Sequence, residues 1–433
     1  MACGGMAAAR TDNKIMICYI AYPTSLTLQS ANALQTYLTL RELHARRPDT
    51  LALIPRWGFE PSRFGEVGAV HLPRLPVGKF SRLHRSMLLY YLEHSLFALA
   101  CAPVLVQRQA AANTRVEAIY VRQTVCAAWW SGVLGPRLGI PVIYEAHDLE
   151  SHNPSRAKEP WAQSLLHLMD RTAITRTAAV VSLTAAFRHY LQHIGWRQAD
   201  AVFVVPDAYD SRQFAPQERT ICRAALGLPA EADILVYAGM TFAYRWLDGL
   251  LQAVAQMKAT HPRLLLLVVG GRPAERTALQ QQAEGLGLQV ADTQALTDQL
   301  HPVTNPQSPV ADLVLVAPRP QPEVVRYLGA ADALVIPDTV TDMTASPLKL
   351  FEYLALGQPL VLPDLPALQE IVPPDLGHYF PRRNLPGLIR ALTDALTARN
   401  DSGKHAARRT LARDHTYGRR AERILEVVQR VTK

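Results

Sequence analysis

In TASPLKLFEYLALGQPLVLPDLPALQE, residues 344–370, a single acid, Glu352, interrupts an apolar segment of helix length. At about 100° per residue it projects between Leu348 and Leu356, while Lys349 and Tyr353 lie toward another side. A carboxylate among such neighbours needs hydrogen-bonding partners. The two adjacent hydroxyls of a ribose would satisfy it bidentately, and a nearby arginine would satisfy it as an ordinary ion pair. Ser346 is expected as the helix N-cap, Pro347 as the first helical residue and Gly357 as the stop. Because Pro347 has no N–H, Leu348 and Lys349 would offer the backbone donors. With the positive end of the helix dipole they suit phosphate oxygens.

Other residues capable of chemistry stand directly after short apolar runs. Arg122 follows AIYV, His147 follows PVIYEA, and Gly239, Met240 and Arg245 fall in GMTFAYRWLDG after DILVYA. Arg245 could grip phosphate with its planar fork or serve as a surface cation. A histidine beside Glu145 and Asp148 reads from its neighbours alone as a structural hydrogen-bond partner more readily than as a catalyst. After the first run, AYPTSLTLQSANALQ offers Ser25, Ser30 and Asn32 as polar contacts, and Ser30 or Asn32 would serve equally well as a helix cap.

The runs that must position these residues alternate with helix-length segments. KIMICYIAY, DTLALIP, AIYVRQ, PVIYEAHD, AAVVSLT and AVFVVPDA fill the first half, and after a break near 206–216 the pattern restarts with DILVYAGM, RLLLLVVGG, DLVLVAP, DALVIPD and QPLVLPD. This predicts an α/β fold of two doubly wound parallel sheets with helices on both faces. Ligands of such sheets sit beyond the carboxyl ends of the strands, so two sheets facing a central cleft would bring Arg122, His147, Asp207, Gly239, Gly270, Gly271 and Asp338 to it. The expected division is a flexible tail over 1–13, a first domain over 14–206, a second over 207–410 and a terminal segment over 411–433. That segment holds a basic amphipathic helix with Ile424, Leu425, Val427, Val428 and Val431 on its apolar side, expected to pack back on the first domain. Residues 291–311, rich in Thr, Gln, Asn and Pro, read as a surface excursion.

The bulk numbers bound the function classes. With 433 residues, 49% of them hydrophobic and 19% charged, the chain can bury the cores of two or three domains and is not a disordered polypeptide. Its five cysteines are scattered, without a C-x-x-C or a metal-like pairing with histidine, and read as reduced thiols. The opening MACGGMAAARTDNK lacks the apolar core of an export signal, so a cytoplasmic protein is expected. A net charge of +8 favours an anionic partner. Nucleic acid is set aside, because no helix-turn-helix, zinc finger or arginine–aromatic RNA motif is present. The stretch 87–106 approaches the length of a membrane span but contains Glu93, His94 and Pro103. Core packing is the favoured reading. With the basic preface Lys79, Arg82, His84 and Arg85, peripheral contact of 79–106 with an anionic lipid surface is the alternative.

The run SPLKLFEYLALGQPLVLPDLPALQEIV resembles the donor-binding signature of the retaining glycosyltransferases of family 4, which have the GT-B fold of two Rossmann-like domains. IYVRQ, PVIYEAHDLES, AAVVSLTAAFRHYL, VFVVPDAYDSRQF, LVYAGM and EVVRYLGAADALVIP extend the resemblance over most of the chain in the family's order. It implies an acceptor-binding first domain and a second domain that binds the nucleotide sugar. In that family two acids with seven residues between them hold the donor. Glu352 matches the one that binds ribose, whereas the one that binds sugar hydroxyls falls on Thr344. The family's G-R-x-x-x-x-K-G is similar to GMTFAYRWLDG, in which Gly239 is kept, Met240 replaces the first cation, Arg245 stands for the lysine and Trp246 for the following glycine. The resemblance turns His147 into a site residue close to the sugar, and it leaves Arg122 as a donor toward acceptor or phosphate.

The resemblance thus implies a retaining transfer, with a hexosyl group as the expected cargo, from a nucleotide diphosphate sugar to an acceptor hydroxyl. Arg245, the helix opening at 346–349 and the Gly239 backbone would take the phosphate charge. No D-x-D triplet is present, and neither metal nor cofactor is expected. Glycolipid, saccharide and small-molecule acceptors remain open. The loss of two charged positions, at Met240 and Thr344, motivates the alternative of a non-catalytic nucleotide-sugar-binding or partner subunit. A dinucleotide oxidoreductase is disfavoured because no G-x-G-x-x-G follows the first run.

Overall fold

The computed structural model describes residues 14–74, 87–152, 160–292, 311–339 and 347–433. The expected tail over 1–13, the basic preface before Met87, Thr344, Ser346 and most of the 291–311 excursion lie outside the described residues. The chain divides into two compact units. One runs to Ser182 and takes in Arg188–Val205 and Ala421–Lys433, and the other comprises Leu183–Phe187 and Pro206–Arg420.

The first unit is built on seven parallel strands: β1 (Lys14–Ile20), β2 (Leu51–Arg56), β3 (Ala69–Pro73), β4 (Thr114–Val121), β5 (Val142–Ala146), β6 (Ala179–Ser182) and β7 (Val202–Val204). Their order is β3-β2-β1-β4-β5-β6-β7, so the direction of winding reverses between β1 and β4. Every residue of β5 and β6 is buried, because helices cover both faces of the sheet and leave no polar alternation. Tyr19 and Tyr120 stack across β1 and β4 with ring centroids 5.3 Å apart.

The helix Met87–Ala112 of this unit is apolar on two sides, burying Tyr91, Phe97, Cys101 and Leu105 on one of them. Leu88, Leu92, Leu96, Leu99 and Val106 form an exposed stripe at helical spacing, with Leu88 56% exposed, while Glu93 and His94 are buried. Glu93 pairs with Arg74 at 2.5 Å and accepts a hydrogen bond from the Tyr22 hydroxyl. The His94 ring lies against those of Tyr22 and Tyr90. Core packing therefore describes only one side of this helix. The two polar residues that seemed incompatible with lipid are the ones that face inward. Trp161, Leu165 and Leu168, at the start of the helix Gln163–Arg176, are exposed as well.

The second unit repeats the plan with β8 (Asp233–Ala238), β9 (Leu264–Val269), β10 (Val290–Asp292), β11 (Leu313–Val316), β12 (Ala333–Val335), β13 (Leu360–Pro363) and β14 (His378–Phe380). Their order is β10-β11-β9-β8-β12-β13-β14, all pairs parallel, with the reversal between β8 and β12. The helix Leu348–Leu356 follows β12 and ends at Gly357, which takes φ +88° where a residue with a Cβ would be strained. It begins one residue later than expected. Pro347 has extended backbone angles and is the cap, its carbonyl accepting from the Leu350 N–H at 2.9 Å.

The end of the chain also departs from expectation. Ser402–Ala412 is a separate helix capped by the Asp401 carboxylate, and the last helix, Tyr417–Thr432, starts beyond 411. Tyr417, Arg420, Ala421, Ile424, Val427 and Val428 are its buried positions. Within the first unit Glu422 pairs with Arg46 at 3.1 Å, and Arg430 lies over the ring of Phe203.

Candidate functional site

In the second unit the residues at the reversal between β8 and β12 converge. After β8 the chain turns at Gly239 with φ +139°, and after β9 it turns at Gly270 and Gly271 with φ +120° and +79°. The two turns touch backbone to backbone. A Cβ on Gly270 would lie 2.4 Å from the Gly239 carbonyl oxygen. The Gly239 N–H donates to Val269 at 2.8 Å. It is therefore not a phosphate donor, as the sequence had suggested; what Gly239 supplies is space, since a Cβ there would fall 2.6 Å from Lys349 Nζ.

The helix Leu348–Leu356 is fastened to this corner by Tyr353, whose hydroxyl accepts from the Ala238 N–H at 2.9 Å. Leu348 and Lys349 open the helix, where backbone N–H groups lack intrahelical acceptors. Glu352 accepts from Gln321 Nε2 at 3.3 Å. Part of the residue stays accessible, but protein atoms crowd its carboxyl group. That desolvation outweighs the attraction of Lys349 and the Gln321 hydrogen bond and pushes the pKa up to about 7. Lys349 itself is buried, with Nζ 4.0 Å from the centroid of the Tyr237 ring and, among the described residues, no hydrogen-bond acceptor. Desolvation, reinforced by Arg245, holds its pKa well below the ordinary lysine value, and Glu352 opposes the shift.

Arg245 closes a short turn, Ala243–Arg245, and points Nη1 toward the Asp338 carbonyl at 3.4 Å. Its Nε is buried without an acceptor among the described residues. Trp246, at the glycine position of the family pattern, adopts the left-handed φ of +53° that glycine would take without strain. Gly249 makes room for it, as a Cβ there would lie 2.1 Å from the indole. Met240 is exposed, and its carbonyl accepts from the Tyr237 hydroxyl. Asp338, fully buried after β12, is gripped by Arg382 at 2.6 Å and Arg383 at 2.8 Å and accepts from the Thr339 N–H. These two arginines add cations that sequence reasoning missed, although the adjacent pair in YFPRRN was visible.

In the first unit the reversal between β1 and β4 holds a second cluster. The Arg122 guanidinium is buried against Glu145 at 3.0 Å and donates to Thr36 and Gln35. Its expected role as a donor toward acceptor or phosphate is corrected accordingly: its fork is engaged within the protein, and it fixes Glu145 and His147. His147 is partly exposed, with Nε2 2.6 Å from Glu145 Oε1 and 2.9 Å from Arg122 Nη2. With its proton on Nε2 the ring donates to Glu145; with it on Nδ1 the ring accepts from Arg122. The polar residues after β1 serve the local turn. Ser30 caps the helix Ala31–Arg46 by accepting from the Ala33 N–H, Ser25 accepts from the Gln29 N–H, and the Asn32 carbonyl accepts from Thr36. Among the described residues no group of acids, histidines and cysteines could hold a metal ion. Cys18, Cys101, Cys126 and Cys222 are free and buried.

Two family models account for most of the chain: residues 29–208 match a glycosyl transferase 4-like domain and residues 232–398 match glycosyl transferases group 1. The chain belongs to the group 1 glycosyl transferases. A D-inositol 3-phosphate glycosyltransferase of Kineococcus radiotolerans is 26% identical over 328 residues, covering 70% of each chain. One from Stackebrandtia nassauensis is 31% identical over 151 residues, covering 34% of this chain and 33% of that protein. This chain spans about a third to under half of the length of several such relatives. Among solved structures, Anabaena HepE in complex with UDP is similar with a TM-score of 0.69 at 14% identity, covering 96% of this chain and 100% of HepE. WaaG, a glycosyltransferase involved in lipopolysaccharide biosynthesis, is similar at 0.64 and 15% identity, covering 96% and 99%. The likeness shows the fold of this group 1 glycosyl transferase, the two-domain α/β fold GT-B.

Proposed function

We propose that this group 1 glycosyl transferase moves a sugar from a nucleotide diphosphate sugar to an acceptor hydroxyl, with retention at the anomeric carbon and without a bound metal. The observation that carries the reading is Glu352, a crowded carboxyl midway along the nine-residue helix at the β8/β12 reversal. Ionised, it would accept from both ribose hydroxyls. The helix opening and Arg245 would take the diphosphate charge. As the bond from the anomeric carbon to the phosphate oxygen breaks, its electron pair stays on that oxygen. The acceptor oxygen then bonds the same face of the carbon, and its proton passes to the diphosphate. No protein nucleophile enters this step. His147, oriented by Glu145 and Arg122, would hydrogen-bond the sugar.

A thermal-shift panel of UDP, GDP, ADP and their sugars tests the donor, beginning with uridine nucleotides because HepE has been solved with UDP and with UDP-glucose. Mass analysis after adding D-inositol 3-phosphate, simple saccharides or glycolipids tests transfer. Stabilisation by no nucleotide would refute the reading. Binding without transfer to any acceptor would favour the non-catalytic subunit that Met240 and Thr344 suggest.

The outward stripe of the helix Met87–Ala112 supports peripheral contact with an anionic lipid surface on the cytoplasmic side. The acids of this helix and of Gln163–Arg176, Glu93 and Asp170, are buried, while Arg108, Arg171 and Arg176 are exposed beside the apolar residues. Flotation with phosphatidylglycerol vesicles should be lost in Leu92→Glu/Leu96→Glu; equal flotation of both proteins would exclude this surface.

A further inference from the structure

Lys349 is kept in a costly position that the Tyr237 ring and the attraction of Glu352 offset only in part. The residue is 9% exposed, yet among the described residues its Nζ finds no hydrogen-bond acceptor; it lies over the ring of Tyr237 and feels the charge of Glu352 without a direct ion pair. A buried ammonium without a hydrogen-bond acceptor is unfavourable, and an incoming anion would supply one. What the group does have is room beside the Gly239 turn, where a Cβ would fall 2.6 Å from Nζ. Four rotatable bonds separate Nζ from the backbone, and at Gly239 no Cβ blocks it.

Three features of the same corner point to an anion there. Lys349 is the second residue of the nine-residue helix Leu348–Leu356, so its side chain and the N–H groups of the helix opening serve one volume. Arg245 is close enough to depress the lysine's proton affinity, which a shared dianion would relieve. Met240, next to Gly239, occupies the position where the family pattern has a cation, and its side chain brings no charge.

We propose that Lys349 supplies, from the helix, the phosphate-neutralising cation that the chain lacks at position 240, gripping the diphosphate of the nucleotide sugar together with Arg245. This rests on the donor-site reading above and adds the source of the second positive charge. The charge on the phosphate oxygen grows as the sugar departs, so a cation held without a hydrogen-bond acceptor beforehand favours the bond-broken state over the resting one.

The test uses the full chain and whichever of UDP, GDP or ADP stabilises it, with the matching nucleoside as the phosphate-free probe. Lys349→Met keeps the bulk and removes the charge. Calorimetry should show diphosphate affinity reduced about 10- to 100-fold, while nucleoside affinity by NMR titration is unchanged. The unliganded variant should melt no lower than the parent, because an unsatisfied buried charge has been removed. Met240→Arg in the Lys349→Met background should restore most of the diphosphate affinity.

Undiminished diphosphate affinity in Lys349→Met would overturn the proposal and leave the donor site standing. Equal losses for diphosphate and nucleoside, or no recovery with Met240→Arg, would reduce Lys349 to a packing role and overturn it too. If the parent chain binds none of the three diphosphates, the donor-site reading itself falls.

Discussion

Replacing Glu352 with Gln should make the unliganded protein more stable and its nucleotide binding weaker. The carboxyl's pKa near 7, against an ordinary 4.5, means that folding favours the neutral form. The difference corresponds to about 3 kcal/mol. Because the side chain keeps some access to water, about 1–2 kcal/mol is expected in practice. The raised value fixes the sign. The protonated acid is unpenalised below its unfolded value of 4.5, and the penalty grows as pH rises from there and is complete above about 7. Urea denaturation at pH 8 should therefore show Glu352→Gln more stable by about 1–2 kcal/mol, with the gain shrinking to a few tenths of a kcal/mol at pH 5. In parallel the affinity for the stabilising nucleotide should fall about 10- to 100-fold at pH 8, since an amide no longer offers the ribose two charged acceptors. A variant equally stabilised at both pH values would remove ionisation as the cause, and one that is destabilised with binding unchanged would make Glu352 an ordinary structural acid.

Four further outcomes are expected. His147→Ala should lower turnover about 100-fold with little change in melting temperature, because the ring is partly exposed and only its contacts with Glu145 and Arg122 are lost. Glu145→Gln removes the charge facing the buried Arg122 guanidinium and should cost about 3–5 kcal/mol in denaturant titration. Asp338→Ala releases Arg382, Arg383 and the Thr339 N–H and should cost about 2–3 kcal/mol, with increased proteolytic nicking near 381–384. Gly270→Ala drives a Cβ into the Gly239 carbonyl at φ +120°. It should cost about 3 kcal/mol and weaken nucleotide binding by displacing the turn beside Lys349.

The central strands were legible because sheets covered on both faces leave runs such as LLLLVV without polar interruption. The edge strands β3, β10 and β14 were not. AVHLP, VAD and HYF are short, partly polar or partly exposed, and their strand character comes from the neighbour they pair with. Glu352 was legible as an acid needing partners, but Gln321 lies 31 residues away and is brought there only by the fold. The same holds for Arg122. Its position after a strand suggested a ligand donor, whereas Gln35 and Thr36 of a distant helix take up its fork. Lys349 was read for its backbone alone, because helical periodicity fixes a direction and says nothing of the Gly239 turn that receives the side chain.

Trp246 and Gly249 carry a consequence for anyone redesigning this loop. The indole occupies the volume that a methyl at 249 would need, and the backbone at 246 already has the twist a glycine prefers. The two positions are thus a single choice written in two places. Bulk at 249 becomes admissible only after 246 has given up its ring, so a lineage or an engineer must visit 246 first.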